Sequence, residues 1–178
     1  MPTHQSPVSR PPSVGGSFQL VDHHGVRVTH ETYQGRFVLV FFGFTHCRVV
    51  CPRALSKLST VLARIGPLAE QLQALYITVD PERDTPEVMR AFLENRYPRF
   101  TGLTGTRAEI DAAKRAFRVF AERRLDPNEP DGYVVPHTAI SYVLNPDGKY
   151  AAHFIDALDE TEVTDRLRMV LRAHAASE

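Results

Sequence analysis

The sequence predicts a single α/β domain in which a mixed central β-sheet carries helices on both faces. Strand and helix patterns alternate along most of the 178 residues. Two strongly apolar runs flank a helical segment, and a hairpin pattern near the end of the chain precedes a last helix. A strand, a helix and a second strand with this spacing form a right-handed parallel crossover, which is the basic unit of such a sheet.

The first half of the chain predicts a hairpin followed by that crossover. Short runs at 18–21 and 26–28 surround a His-Gly turn, which is typical of a β-hairpin. The almost unbroken apolar run at 36–42 is typical of a central strand covered on both faces. Apolar residues at helical spacing then follow Pro52 as far as Gly66, before a second buried strand at 75–79.

The second half predicts three helices and a second hairpin. Thr85 caps one helix, and Thr106 with Glu109 forms a capping box for the next, which should run to about Ala121. The remaining predictions are an acidic turn-rich loop at 126–132, strands at 139–144 and 150–154, and a helix over 159–173. This order of elements fits a thioredoxin-like fold best.

Composition limits the functions that this domain can have. Lysine plus arginine and aspartate plus glutamate each number 21, so the chain lacks the excess of positive charge that nucleic-acid binding requires. No apolar run approaches the roughly 20 residues that cross a bilayer. Residues 1–16 are mostly polar and lack an apolar signal segment. We therefore expect a flexible lead-in at 1–16 and one domain at 17–178.

The two cysteines of the chain, Cys47 and Cys51, lie in the segment that links the central strand to the first predicted helix. Chemistry gathers beyond the carboxyl ends of parallel strands in such folds. With Pro52 as the first helical residue, Cys51 would lie near the N-cap. There the helix dipole, Arg48 and Arg53 should favour its thiolate. The four-residue offset suits either a disulfide or two thiolates on one metal ion.

Two other residues are expected at the same edge of the sheet. Asp80 follows the second parallel strand. His137 precedes the strand at 139–144, and if that strand runs antiparallel, His137 should face Cys47 and Cys51. Two thiolates and one imidazole form a soft donor set of low coordination that suits copper, above all Cu(I). Asp80 is a candidate to support this site from behind, whereas Asp84 should be structural and His46 should point away.

Several separated motifs resemble the Sco/SenC copper chaperones. The motifs, in order, are Phe42-Gly43-Phe44-Thr45-His46-Cys47, Cys51-Pro52, Asp80-Pro81-Glu82-Arg83-Asp84-Thr85-Pro86, Gly102-Leu103-Thr104-Gly105-Thr106, His137-Thr138 and Asn145-Pro146-Asp147-Gly148. The resemblance implies a thioredoxin-like fold and Cu(I) or Cu(II) held by Cys47, Cys51 and His137. It also implies a role in assembling the dinuclear copper site of cytochrome c oxidase, by delivering copper or by keeping the thiols of that site reduced. The expected partner is the copper-site subunit or another copper-handling protein. The resemblance further implies a periplasmic or membrane-associated location outside the cytoplasm, and we expect a monomer.

The sequence departs from the family pattern at two places. Arg48-Val49-Val50 stands where relatives often carry a Pro-Asp-Val type of spacer, and Pro136 precedes the histidine. Other functions therefore stay open. The cysteines could serve a thiol–disulfide oxidoreductase that acts on a partner's thiols. A peroxiredoxin-like peroxidase is disfavoured, because it needs a threonine or serine hydroxyl at the position of Arg48. An inert binding module, or two cysteines that are merely buried, would not explain why both cysteines lie in one strand-to-helix turn.

Overall fold

A computed structural model describes residues 14–47, 50–137 and 139–175. Four α-helices are assigned, α1 (Val50–Arg64), α2 (Pro86–Leu93), α3 (Arg107–Phe117) and α4 (Glu160–Ala175), with short 3-10 helices at His30–Tyr33 and Gly66–Gln71. The strands are β1 (Gln19–Asp22), β2 (Arg27–Thr29), β3 (Phe37–Gly43), β4 (Leu72–Thr78), β5 (Phe100–Thr104), β6 (Arg124–Leu125), β7 (Tyr133–Val134), β8 (Ile140–Leu144) and β9 (Tyr150–Ile155).

The described strands form a seven-stranded mixed sheet, with β6 and β7 paired separately, and this confirms the predicted sheet class. The order is β2-β1-β5-β4-β3-β8-β9. β3 pairs in parallel with β4, and β4 with β5, whereas β8 runs antiparallel to β3. The N-terminal hairpin pairs β1 with β2 and joins the sheet beside β5. The carboxyl ends of β3 and β4 and the amino end of β8 therefore share one edge.

The central strand β3 is buried along its whole length, as its apolar run predicts. Alternate side chains enter two separate cores. One core holds Phe37, Leu39 and Phe41 with residues of α1, α2 and α4, and the other holds Val38, Val40 and Phe42 with residues of α3. Helices thus cover both faces of the sheet, and β3 is fixed between them.

The predicted helix starts of α2 and α3 are confirmed. The Thr85 hydroxyl accepts the N–H of Val88, and Thr106 and Glu109 form the reciprocal capping box. The predicted end of α3 at Ala121 is wrong, because Arg118 adopts a left-handed conformation with φ of 57° and stops the helix at Phe117.

The start of α1 also differs from the prediction. The helix begins at Val50 rather than at Pro52, and Cys51 lies in its first turn, near the N-cap as predicted. Arg48 and Val49 lie outside the described residues. Cys51 consequently points into the core beneath the helix, where it has no exposed surface.

The third parallel strand, β5, was not predicted. Its run is short and contains Gly102, which weakens a strand pattern. The glycine is required by packing, because a Cβ there would lie 2.8 Å from Leu93 Cδ1 and 3.0 Å from Met89 Cε. Close packing of α2 on the sheet therefore requires Gly102, and this glycine weakens the strand pattern of β5 in the sequence.

Most of the predicted lead-in, residues 1–13, lies outside the described residues. Its last part touches the domain, since the Gly15 N–H donates to the Ala116 carbonyl at 2.9 Å. Val14 packs against the core on the α3 face of the sheet.

Replacing Gly102 with alanine should destabilise the protein by about 1–2 kcal/mol, because the new methyl group overpacks the contact with Met89 and Leu93. Urea unfolding measures this change. Leu93→Ala removes the atom that an added Cβ would approach most closely, so Gly102→Ala should cost less in that background than in the wild type. Equal costs in the two backgrounds would contradict this account of the strand.

Candidate metal centre

The segment from the end of β3 to α1 carries both thiols. The Cys47 N–H donates to the Phe44 carbonyl at 3.1 Å, which closes a tight turn after the strand. Cys47 is half-buried and Cys51 is fully buried, and neither forms a disulfide. The Cys51 N–H donates to Cys47 Sγ at 3.4 Å, so the first sulfur lies over the start of α1. The two thiols thus occupy one small region at the sheet edge.

His137 reaches this region from a distant part of the chain. Because β8 is antiparallel to β3, the residues before β8 lie at the carboxyl end of β3. His137 Nε2 lies 3.8 Å from Cys51 Sγ. The ring also meets Phe44 edge-to-face with centroids 5.7 Å apart. The sequence predicted this proximity from the antiparallel direction of one strand.

The hydrogen bond on the far side of the ring determines which nitrogen of His137 is protonated. Nδ1 lies 3.2 Å from the Val135 carbonyl oxygen, which can only accept a hydrogen bond. The ring proton of the neutral imidazole therefore lies on Nδ1, and Nε2 turns a lone pair toward Cys51. Histidines that bind metals usually have this arrangement, with the second nitrogen donating to a carbonyl or carboxylate.

Asp84 fixes the loop that carries Cys47. Its buried carboxylate accepts the Thr45 N–H at 3.0 Å, the Thr45 hydroxyl at 2.5 Å and the Thr78 hydroxyl at 2.7 Å. Burial raises the pKa of Asp84, and these three donors oppose that shift. The structural role expected for Asp84 therefore includes a direct connection between the cysteine loop and β4.

Asp80 is fully buried, and its carboxylate binds side chains other than the two cysteines. One carboxylate oxygen accepts Arg83 Nε at 2.5 Å, and the other accepts the Tyr133 hydroxyl at 3.0 Å. Tyr133 belongs to β7, four residues before His137. Asp80 is thus connected to the histidine segment, whereas Asp84 is connected to the cysteine loop.

The protonation expected for Cys51 is corrected by the structure. The hydrogen bond with Cys47 and, after it, burial raise the pKa of the Cys51 thiol far above its usual range. Arg53 does not offset this, since its guanidinium pairs with Asp156. Placing Cys51 inside the first turn of α1, beneath the helix, explains why the sequence argument for a stabilised thiolate was wrong in the metal-free protein.

His46 turns away from the thiols, as expected. Its Nε2 lies 3.7 Å from a carboxylate oxygen of Asp131, and its Nδ1 lies 3.3 Å from the Thr45 hydroxyl. Asp131 belongs to the acidic loop between β6 and β7, so this contact connects that loop to the cysteine segment.

Gly43 and Tyr76 lie beneath the site, and their roles were not predicted from the sequence. A Cβ on Gly43 would lie 2.6 Å from Tyr76 Oη and 2.8 Å from Cys51 Sγ. The glycine therefore opens the space in which the hydroxyl and the sulfur approach each other. A glycine inside a strand signals such a close approach, and this signal was present at the end of β3.

Another group of potential metal ligands lies outside this site, where the turn between β1 and β2 approaches the end of α2. Donor atoms of His23, His24 and Glu94 all lie within 4.8 Å of one another. His23 Nδ1, however, accepts the Gly102 N–H at 2.9 Å, so its ring proton lies on Nε2. Neither nitrogen of His23 then offers a free lone pair, which argues against a metal at this group.

Comparison with known proteins supports the assignment that the cysteine and histidine motifs suggested. The sequence profile described as SCO1/SenC matches residues 6–172. The chain belongs to the SCO1/SenC family. It is 41% identical over 145 residues to the human protein "SCO1 homolog, mitochondrial", which covers 80% of this chain and 48% of that protein.

Solved structures of the family match the whole domain. The copper-bound ScoI of Bradyrhizobium japonicum has a TM-score of 0.79 and 38% identity, covering 88% of this chain and 99% of that one. The copper-bound ScoI of Arabidopsis thaliana has a TM-score of 0.84 and 30% identity, covering 90% of this chain and 99% of that one. The predicted thioredoxin-like fold of the Sco type is thereby confirmed.

The chain spans about half the length of the curated relatives that it matches, with 55% of the zebrafish SCO2 homologue and 48% of human SCO1 covered. Within the described residues, each helix is too short or too polar to traverse a bilayer.

In the reduced, metal-free protein, iodoacetamide should label Cys47 before Cys51, because Cys47 is partly exposed while Cys51 is buried and its thiol pKa is raised. Trypsin cleaves after Arg48, so mass spectrometry can quantify the two sites on separate peptides. In denaturant the two rates should converge. Equal rates in the folded protein would contradict the burial of Cys51.

Proposed function

We propose that this protein is a copper metallochaperone in which Cys47, Cys51 and His137 bind one copper ion. It would assist assembly of the dinuclear copper site of cytochrome c oxidase by transferring that ion to the copper-site subunit. Copper is the cargo here, so the site must bind it and also release it.

The contact between Cys51 Sγ and His137 Nε2 is the observation that carries this proposal. With metal–sulfur bonds of about 2.3 Å and metal–nitrogen bonds of about 2.0 Å, the two donors of a trigonal site lie about 3.7 Å apart. The observed separation is 3.8 Å. The lone pair of Nε2 already faces the sulfur, so the pair fits a soft, thiophilic ion such as Cu(I).

Binding requires a small closing movement. Among the described residues, the donor atoms of the His23 group all lie within 4.8 Å of one another. The donor atoms of Cys47, Cys51 and His137 do not form a group as compact as this. Cys47 Sγ lies against the Cys51 N–H, from which it can turn toward the ion. Cys47 and His137 are half-buried, so a site with three ligands keeps one side open to a ligand from a partner protein. An open side suits transfer of the copper ion better than its permanent storage.

We infer that Asp80 supports this site through the histidine segment. Asp80 binds the Tyr133 hydroxyl and Arg83, and the Arg83 guanidinium lies 3.9 Å from the centroid of the Tyr133 ring. Arg123 covers the same ring at 4.0 Å. We call Asp80, Arg83, Arg123 and Tyr133 the tyrosine clamp. Because it holds β7, it restricts the positions that His137 can reach.

The clamp also extends to the acidic loop. Arg83 Nη1 lies 3.3 Å from a carboxylate oxygen of Asp131, the residue that approaches His46. Loops from three parts of the sequence are therefore tied together around the donors. This arrangement supports a site that is preorganised on the histidine side and adjustable on the Cys47 side.

Names and titles of relatives support the setting of the proposed function. The human relative is described as mitochondrial, and two matched bacterial and plant structures are described as copper-bound. We propose a monomer that works outside the cytoplasm at a membrane that contains cytochrome c oxidase.

A thiol–disulfide oxidoreductase is the second candidate, because Cys47 Sγ lies beside the backbone of Cys51 and the two cysteines are not joined by a disulfide. Such an enzyme would oxidise a partner's thiols or reduce a partner's disulfide, and it would not need His137. The requirement for His137 therefore separates the two functions.

Replacing His137 with alanine should weaken Cu(I) binding by at least about 100-fold, since even outer residues of metal sites contribute 10- to 100-fold. Competition with a chromophoric chelator measures the affinity of the reduced protein. His153→Ala, which changes an exposed histidine of β9, is the matched control and should leave affinity unchanged. Wild-type affinity in the His137 variant would remove this residue from the ligand set and favour the oxidoreductase.

Tyr133→Phe removes the hydroxyl that binds Asp80 and keeps the ring between the two arginines. Loss of a hydrogen bond to a carboxylate should loosen the histidine segment and weaken Cu(I) binding about tenfold. Amide hydrogen exchange should accelerate at residues 121–137. Tyr150→Phe, which removes an exposed hydroxyl bound to His153, is the control. Unchanged affinity and exchange would show that the clamp does not position His137.

A further inference from the structure

Tyr76 lies beneath the thiols, in the middle of β4. Its side chain has no exposed surface. The ring is stacked near Phe41, with centroids 6.1 Å apart, and near Phe92, with centroids 6.0 Å apart. Aromatic packing thus determines the direction of the ring, and the hydroxyl is directed at the end of β3 and the start of α1.

The hydroxyl ends in the space left by Gly43. A Cβ there would lie 2.6 Å from Tyr76 Oη and 2.8 Å from Cys51 Sγ, so the oxygen and the sulfur border the same small gap. Among the described residues, Tyr76 Oη makes no well-formed hydrogen bond, and Cys51 is a side chain with which it interacts. A polar group at the end of a buried aromatic ring normally has a partner, so this hydroxyl needs an explanation.

The sulfur of Cys51 is the group across this gap that can accept the hydroxyl. A thiol is a weak acceptor, whereas a thiolate carries negative charge and accepts strong hydrogen bonds. A copper-bound sulfur at the same place would offer the strong acceptor that the phenol lacks.

We propose that Tyr76 is a positioning residue for the copper site, and that its hydroxyl donates a hydrogen bond to the sulfur of Cys51 when that sulfur is a thiolate. This inference deepens the proposed function and rests on it for its copper-dependent effects. The hydrogen bond would fix the direction of the sulfur toward His137. It would also withdraw electron density from the thiolate, which stabilises Cu(I) relative to Cu(II).

The test is Tyr76→Phe, which removes one oxygen and keeps the stacked ring. In the Cu(II)-loaded protein, the thiolate-to-copper absorption band should move to longer wavelength, because the sulfur becomes a better electron donor. Cu(I) affinity should fall about tenfold, as expected for the loss of a hydrogen bond to a charged group. Tyr142→Phe, a buried tyrosine of β8 that packs on the opposite face near Phe117, is the matched control and should change neither value.

Stability of the metal-free protein separates this role from simple packing. Because the hydroxyl makes no well-formed hydrogen bond there, Tyr76→Phe should leave the unfolding midpoint unchanged or raise it. An unshifted absorption band together with a lower midpoint would assign Tyr76 to the core alone and overturn the inference. An unchanged band and unchanged copper affinity would overturn it as well, whatever the midpoint.

A metal-free measurement keeps this inference distinguishable from the copper proposal. Glutathione disulfide oxidises the pair, so that the Cys47 and Cys51 thiols lose two electrons and two protons and two glutathione thiols form. The last step needs the Cys51 thiolate, which attacks the Cys47–glutathione mixed disulfide and releases the second glutathione. A hydroxyl that donates to this thiolate lowers its free energy, so Tyr76→Phe should slow this step, whereas Tyr142→Phe should not. If the wild type binds no copper but this slowing is found, the proposed function fails while the role of Tyr76 stands. An unchanged rate would overturn the hydrogen bond to Cys51.

Discussion

The site depends on one feature of the sheet, namely the position of β3 between a parallel and an antiparallel neighbour. β3 is apolar on both faces and buried throughout, so its position in the sheet is fixed. Its carboxyl end delivers the cysteine segment, while β4 ends beside it and leads to Asp80 and Asp84. β8 starts where β3 ends, which brings His137 to the same edge. Residues far apart in sequence therefore meet at this edge.

The electrostatics of the site follow from how deeply the first turn of α1 is buried. Cys51 is enclosed by the core, so the metal-free protein keeps it as a neutral thiol. A metal cation supplies the positive charge that removes this penalty, and binding then releases the proton. The dipole of α1 also favours the Cys51 thiolate. The neighbouring sulfur and burial, which favour the neutral thiol, together outweigh it. Burial also limits the access of oxidants to the Cys51 sulfur.

Two sets of contacts hold the donors from different sides. On the outer side, the tyrosine clamp connects Asp80 to the segment before His137, and Asp84 holds the turn before Cys47. On the inner side, the gap at Gly43 brings the Tyr76 hydroxyl and the Cys51 sulfur together. The two carboxylates lie four residues apart in one loop, and the fold gives each of them a different half of the site. Membership of the SCO1/SenC family accounts for the common frame.

The sequence by itself determined the mixed sheet, the caps of α2 and α3, the edge at which the cysteines lie and the meeting of His137 with Cys51, because these depend on local patterns and strand direction. It did not reveal β5, whose glycine is required by the packing of α2. It also misjudged the protonation of Cys51 and overlooked the hydroxyl of Tyr76. Burial and contacts across the sheet decide these properties, and they arise only when distant segments pack together.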